Sequence, residues 1–385
     1  MTDFTFNTTP SILARFGATA HIGALAGPLL GPRVALVTDR GVQGLGLIDP
    51  ALASLREAGI AVIVLDHIHA DPPEADVLLA AQAIREAGVT GVLAIGGGSP
   101  MDVAKVAALI GRTGASLGTC YGVGVAKGPR LPLVLVPTTA GTGSEVTPVA
   151  ILTTGAAEKK GIVSPLLLPD MAILDAALTL GLPPAVTAAT GIDAMVHAIE
   201  AYTSASPANN PISRGLATQA LALLGGNIRQ AVREGRDRAA REAMLLGSLL
   251  AGQAFANSPV AAVHALAYPL GGHFHVPHGL SNALVLPHVL RFNAPVVGAA
   301  YAEIAAHAFP RLADLPAVQR AGAFIDGLEE LAADLGLPRR LREVGVSAEA
   351  LPLLAADAMK QQRLLVNNPR PLDQDQAFAL YEAAL

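Results

Sequence analysis

Short apolar runs alternate with helical spacing through the first half of the chain. Residues 33–39, RVALVTD, form a continuous apolar run of the kind a buried strand shows. Helical periodicity follows over 47–58, then strand-like runs at 60–66 and 91–95 separated by a helical pattern at 74–87. A further helix is expected over 99–110 and a strand over 133–136. This β-α-β-α rhythm predicts a parallel sheet with right-handed crossovers. The runs at 149–153 and 161–164, around a polar turn, predict a hairpin. The Gly/Pro-rich connection 111–132 is long enough to be functional or irregular.

The pattern changes at Leu182-Pro183-Pro184. Beyond it only helical periodicity appears, over 185–204, 211–234, 239–256, 260–270, 278–292 and shorter segments to the end. A residue before proline leaves the helical region, so a boundary is expected there. The reading is an α/β domain with a parallel sheet over 1–181 and an all-α helical domain over 182–385.

The stretch 243–290 contains no Asp, Glu, Lys or Arg, yet it holds His264, His273, His275, His278 and His288, five of the ten histidines. Pro259, Pro269, Pro277 and Pro287, with Gly271 and Gly272, interrupt it too often for a membrane span. It is therefore expected in a core, where an apolar setting favours the neutral imidazole that binds metal.

Composition narrows the classes. Hydrophobic residues make up 52% of the 385, which argues against disorder. The net charge is -5 and no basic run exceeds a pair, which argues against a nucleic-acid partner. A single cysteine, Cys120, rules out an intrachain disulfide and fits a cytoplasmic setting. The opening MTDFTFNTTP lacks the basic start and apolar core of a signal peptide.

Two glycine-containing loops follow successive strands. GGGSPMDVAK places Gly96, Gly97 and Gly98 where a helix opens, with Ser99 as a candidate N-cap and Pro100 in the first turn. Such a helix start offers free N–H groups and a positive dipole end to a pyrophosphate. The second loop, PTTAGTGSEVT, is rich in hydroxyls. Both belong at the same sheet edge, where open α/β sheets bind ligands. Asp39, at the end of its strand, is placed to accept bonds from a ribose and so favours NAD, although Arg40 leaves NADP open and a turn role is the plainer alternative.

Asp193 and His197 stand four apart on one face of a helical stretch, TGIDAMVHAIEAY. An acid in so apolar a segment needs a partner. A divalent ion held by Asp193, His197, His264 and His278 would satisfy all four, and nitrogen and oxygen donors suit Fe²⁺ or Zn²⁺.

These stretches, with VHALAYPLGGHFHVPHGLSNALVLPH, resemble the iron-containing (group III) alcohol dehydrogenase family over nearly the whole chain. The resemblance implies a Rossmann-like, dinucleotide-binding domain over 1–181, an all-helical metal-binding domain over 182–385, and NAD(P)-dependent interconversion of alcohols with aldehydes or ketones in a homodimer. It implies the same four metal ligands, and cofactor contacts at Asp39, Gly97, Gly98, Ser99, Thr138, Thr139 and Thr142, with Asp102 and Ser144 in the same loops as further candidates. The family's basic residue near the cofactor falls on Lys159, or on Lys160 if the turn is shifted. Many members carry a second histidine four residues after the third ligand. Here that position is Tyr268, a phenol that can exchange hydrogen bonds but carries a proton less readily at neutral pH. His273 is the alternative carrier. Phe255 and its apolar neighbours point to a small, weakly polar substrate. A hydroxyacid–oxoacid transhydrogenase and a maleylacetate-type reductase share the implied fold. A metal-dependent hydrolase is the rival from another class, but it leaves both glycine loops without a role.

Overall fold

The structure is a computed structural model that describes residues 3–155 and 158–385. It divides into two compact units, one of Asn7–Leu180 and one of Gly181–Leu385, with which residues 3–6 cluster.

In chain order the first unit comprises β1 (Ser11–Ala14), α1 (Ile22–Leu30), β2 (Arg33–Val37), α2 (Arg40–Gly44), α3 (Asp49–Glu57), β3 (Ala61–Leu65) and α4 (Glu74–Glu86). There follow β4 (Gly91–Gly96), α5 (Gly98–Thr113), β5 (Gly122–Val123), β6 (Leu133–Pro137), β7 (Val149–Thr154), β8 (Glu158–Val163) and β9 (Met171–Leu174). Six strands form one sheet in the order β1-β9-β6-β4-β2-β3, with every pairing parallel. Its two faces are legible in the strands. Ala35, Val37, Val92, Ala94, Leu133 and Leu135 pack with α4 and α5, while Val34, Leu36, Leu93, Ile95, Val134 and Val136 pack with α1 and α3. Alternate residues point to opposite faces, and both faces are covered, so each strand must be apolar throughout.

The expected β-α alternation is therefore present. It omitted β1, α1, α2 and β9, and β2 is consequently the second strand in chain order. Strands β7 and β8 pair antiparallel as the expected hairpin, and β5 adds to β8 in a separate small sheet. The expected turn between β7 and β8 falls partly on positions 156 and 157, outside the described residues.

The second unit is helical: α6 (Pro184–Thr203), α7 (Pro211–Arg233), α8 (Arg238–Asn257), α9 (Ala262–Phe274), α10 (His278–Ala308), α11 (Ala317–Asp334), α12 (Leu351–Ala358), α13 (Gln362–Leu365) and α14 (Gln374–Ala384). Helix α6 is buried along most of its length, with α7, α8 and α10 packed around it. That accounts for its apolar residues on every side. Two helices run further than their periodicity indicated. Pro269 lies inside α9, which ends at His275 in the left-handed region (φ 54°), and α10 continues past Pro287 and Pro295 with a kink at Val297. Among the described residues α10 is the one helix long and apolar enough to cross a membrane, and its first half is core.

Candidate metal centre and nucleotide loops

Three helices of the second unit bring the chemistry together. Asp193 lies on α6, His264 in the first turn of α9 and His278 at the start of α10. Gly279 makes the approach of α10 to α6 feasible, because a Cβ there would collide with the Ala189 carbonyl and meet Asp193 Cβ at 3.2 Å. The result is a cluster in which Asp193, His264 and His278 each offer one ligand atom within 4.8 Å of the others. Asp193 and His264 are both 2% exposed, so the cluster is shielded on all but the His278 side.

His197, the fourth expected ligand, stands outside that three-atom set. Its ring stacks on His264 (centroids 4.7 Å) and on Phe255 (4.3 Å, 20° between planes). It still shapes the site. Burial pushes the Asp193 carboxyl up, but His197, then His278 and His264, with a hydrogen bond from Asn282, hold it below its ordinary value.

The donor set fits a cation. Asn282 Nδ2 lies 2.6 Å from Asp193 Oδ1, 3.3 Å from His264 Nε2 and 3.4 Å from His278 Nε2. An amide has two hydrogens for these three acceptors, and Asn282 Oδ1 has no hydrogen-bond partner among the described residues. A divalent ion can be shared by all three where an amide cannot.

Behind His264 stands Glu200. Its Oε2 lies 2.6 Å from His264 Nδ1, and its Oε1 accepts from the backbone N–H of Val263 at 2.7 Å. A carboxylate can only accept, so Nδ1 carries the proton and the Nε2 lone pair faces Asp193. Glu200 and Asn282 were not singled out from the sequence. Glu200 continues the 193–197 stripe by one turn of α6, and Asn282 sits one turn after His278, so helical spacing was the signal available for both.

The expected proton carriers are placed differently. Tyr268 lies one turn along α9 from His264, its ring 5.8 Å from that of His278. His273 is drawn into a pair with Asp357 (2.6 Å) instead. Burial pushes the Asp357 carboxyl up, but hydrogen bonds from Lys360 and His273 hold it below its ordinary value.

In the first unit the loops after β2, β4 and β6 all leave the carboxyl edge of one sheet. The order reverses between β2 and β4, which is where open parallel sheets bind ligands. Helix α5 is capped by Gly97 rather than Ser99, without a side-chain cap hydrogen bond. The extended backbone at Gly97 places the cap two residues earlier, so the helix opens on the glycines themselves, with its dipole end toward the sheet edge. The second loop lies against the first: a Cβ on Gly98 would meet Thr142 Cγ2 at 2.9 Å, and Gly97 faces Thr139. Thr138 joins the edge through its backbone N–H, which bonds to Gly96 O at 2.9 Å.

Other expected contacts are spent internally. Asp39 lies beyond β2 and caps α2, accepting from Val42 N at 2.9 Å. Asp102 accepts from Ser144 Oγ (2.7 Å) and Ile151 N (2.9 Å), while Lys105 Nζ donates to Ser144 Oγ (2.7 Å). These side chains tie α5 to the second loop and to β7. Lys159 donates to Thr153 Oγ1 (2.8 Å) and pairs with Asp71 (2.7 Å), and Lys160 pairs with Glu158 at the surface.

Within the second loop Glu145 is 1% exposed, and its Oε1 has no hydrogen-bond partner among the described residues. Burial pushes its pKa up to about 7, and burial pushes that of Lys105 down to about 8. A raised acid binds its proton more tightly in the folded state, so stability falls as pH rises from the ordinary carboxyl range through about 7. Glu145→Gln keeps the shape without the charge. It is expected to raise the thermal midpoint at pH 8, by roughly 2 kcal/mol of stability, and to change it little at pH 5. Equal effects at both pH values in calorimetry would show that burial of the charge is not what the residue costs.

Comparison with known proteins agrees with this geometry. A family profile described as iron-containing alcohol dehydrogenase matches residues 9–176, and one described as the Fe-containing alcohol dehydrogenase family, C-terminal, matches 187–385. The chain is 40% identical over 354 residues to long-chain-alcohol dehydrogenase 1 of Geobacillus thermodenitrificans, covering 91% of this chain and 89% of that one. It superposes on a crystal structure of 1,3-propanediol oxidoreductase with a TM-score of 0.95, 36% identity and 100% of both chains covered. A sulfoacetaldehyde reductase from Bifidobacterium kashiwanohense, solved in complex with NAD+, gives a TM-score of 0.87 and 30% identity, covering 100% of this chain and 99% of that one.

Proposed function

The chain belongs to the iron-containing alcohol dehydrogenase family, and we propose that it interconverts a small alcohol with its aldehyde or ketone, using NAD in preference to NADP and Fe²⁺ in preference to Zn²⁺. The observation that carries the reading is the acceptor cluster of Asp193, His264 and His278, with Glu200 fixing the imidazole behind it. When bound, the ion supplies Lewis acidity toward a substrate oxygen and the nicotinamide supplies the hydride acceptor.

The chain's own groups do the rest. Asp193 brings the cluster its negative charge, and Glu200 keeps His264 in the metal-binding tautomer. Phe255, stacked on His197, gives the site an apolar wall that excludes water. Tyr268, whose ring lies 5.8 Å from that of His278, carries the hydroxyl that orients or passes the alcohol proton. The first turn of α5, against the Thr139 and Thr142 side chains, receives the pyrophosphate. An NAD+-bound relative supports the choice of nucleotide. The family resemblance supports a homodimer, and the lone Cys120 fits a cytoplasmic setting.

The test is nicotinamide absorbance on an alcohol and aldehyde panel, with protein loaded with Fe²⁺ or with Zn²⁺. Turnover with NAD, stronger for the iron form, is expected. No nicotinamide-linked turnover on any substrate in either form would sink the reading. Asp39 sets cofactor choice by repelling the 2′-phosphate of NADP, by up to roughly 4 kcal/mol before screening. Asp39→Gly costs the α2 cap only a few tenths of a kcal/mol. The variant's NADP-to-NAD ratio of kcat/KM should rise at least about tenfold. An unchanged ratio would leave Asp39 as a cap alone.

A further inference from the structure

A cation stands beside the metal cluster with no part in the reaction as described. Tyr268 Oη takes a hydrogen bond from Arg363 Nη2 at 3.2 Å, and the guanidinium carbon lies 5.9 Å from the Tyr268 ring centroid. Arg363 is on α13, which packs against α9, and it is half-buried. Among the described residues no carboxylate pairs with it. Asp357, the acid six residues earlier, is already held by His273 Nε2 and Lys360 Nζ, each at 2.6 Å. A guanidinium has five N–H donors in a fork that matches planar oxyanions, and here one neutral hydroxyl and an aromatic ring are its neighbours. The Tyr268 ring is in turn 5.8 Å from that of His278, so the guanidinium and the cluster share Tyr268 as a neighbour.

We infer that Arg363 binds the far end of the substrate, and that the substrate is a short hydroxy or oxo compound ending in a carboxylate or sulfonate. This rests on the dehydrogenase reading, which places the near end at the Asp193 cluster. It alters the expectation of a weakly polar substrate. Phe255 stacks on His197 at the other end of the row of rings, and the charge of Arg363 selects what the far end of the substrate carries. The Tyr268 hydroxyl is held by the same arginine, so the group that orients the alcohol proton and the group that reads the anion are coupled.

The test uses matched pairs of aldehydes with NADH: 4-oxobutanoate against its neutral methyl ester, and 2-oxoethanesulfonate against propanal. Wild type should favour the anionic member of at least one pair, and the pair that responds identifies the anion. Arg363→Met should lower kcat/KM for that anion roughly 10- to 100-fold more than for the neutral member, with the difference chiefly in KM. Arg363→Lys should restore part of the loss. In calorimetry on the metal-loaded protein, 4-hydroxybutanoate or 2-hydroxyethanesulfonate should bind wild type and fail to bind Arg363→Met. Equal losses on both members of a pair, or a raised KM for NADH with an unchanged pair ratio, overturn the assignment. Turnover of neutral aldehydes with no anionic preference overturns it and leaves the dehydrogenase reading intact. Arginine-dependent binding of the hydroxy acid without turnover of any aldehyde upholds Arg363 as the anion site and overturns the dehydrogenase reading instead.

Discussion

Asp193→Asn is expected to leave the protein folded, free of bound divalent ion, and slowed by roughly a thousandfold in kcat/KM, about 4 kcal/mol of lost transition-state stabilisation. The side chain is 2% exposed, and asparagine fills the same space, so helix packing around α6 should hold. What disappears is charge. Asp193 is the one acid in a cluster otherwise made of imidazoles, and a neutral amide cannot offset two positive charges brought among them. Three readings check this together. Elemental analysis should find the variant without metal and the wild type with about one ion per chain, as a single cluster requires. Far-ultraviolet circular dichroism should be unchanged. Adding Fe²⁺ should raise the thermal midpoint of the wild type, because a ligand that binds only the folded state stabilises it, and should leave the variant's midpoint where it was. A variant that keeps its ion and most of its turnover would place the metal elsewhere.

The parts of this site that were legible in the sequence are those that follow a period. Alternating apolar runs with helical spacing between them give β2, β3, β4 and β6, because a strand covered on both faces must be apolar at every position. Strands β1 and β9 pair with each other at one edge, and β1 has mostly exposed residues, so composition did not mark it. The acids and the histidine of α6 lie at 193, 197 and 200, on one face of the helix, and all three are buried. Reading it one turn further would have included Glu200.

Other features depend on distance in space. Ser99 looked like the cap of α5, but the backbone at Gly97 already has the extended geometry a cap requires. Lys159 carries the right charge for a nucleotide, yet Asp71, far away in sequence, takes it. Arg363 lies 95 residues from Tyr268 on a four-residue helix, and no spacing rule joins the two.

Glu200→Gln should weaken divalent-ion affinity by roughly 10- to 100-fold without removing any ligand. The carboxylate accepts two hydrogen bonds, one on each oxygen: from Val263 N–H at 2.7 Å and in the 2.6 Å contact with His264 Nδ1. Glutamine has one oxygen and one NH₂ for those two places. If its oxygen stays on Val263, the NH₂ meets His264 Nδ1 and donates to it. The ring proton then moves to Nε2, the atom that faces Asp193, and the lone pair is lost to the metal. If the oxygen turns to His264 instead, the NH₂ faces the Val263 N–H, and a buried donor in the first turn of α9 loses its partner at about 1–3 kcal/mol. Either arrangement costs affinity, whereas Glu200→Asp keeps two acceptors and should cost less. Chelator competition on the purified variants measures the affinities directly, and thermal midpoints of the metal-free proteins separate the two arrangements. A midpoint equal to wild type with weakened metal binding selects the altered tautomer, and a lowered midpoint selects the orphaned N–H. Unchanged affinity in Glu200→Gln would show that His264 keeps its tautomer without the carboxylate behind it.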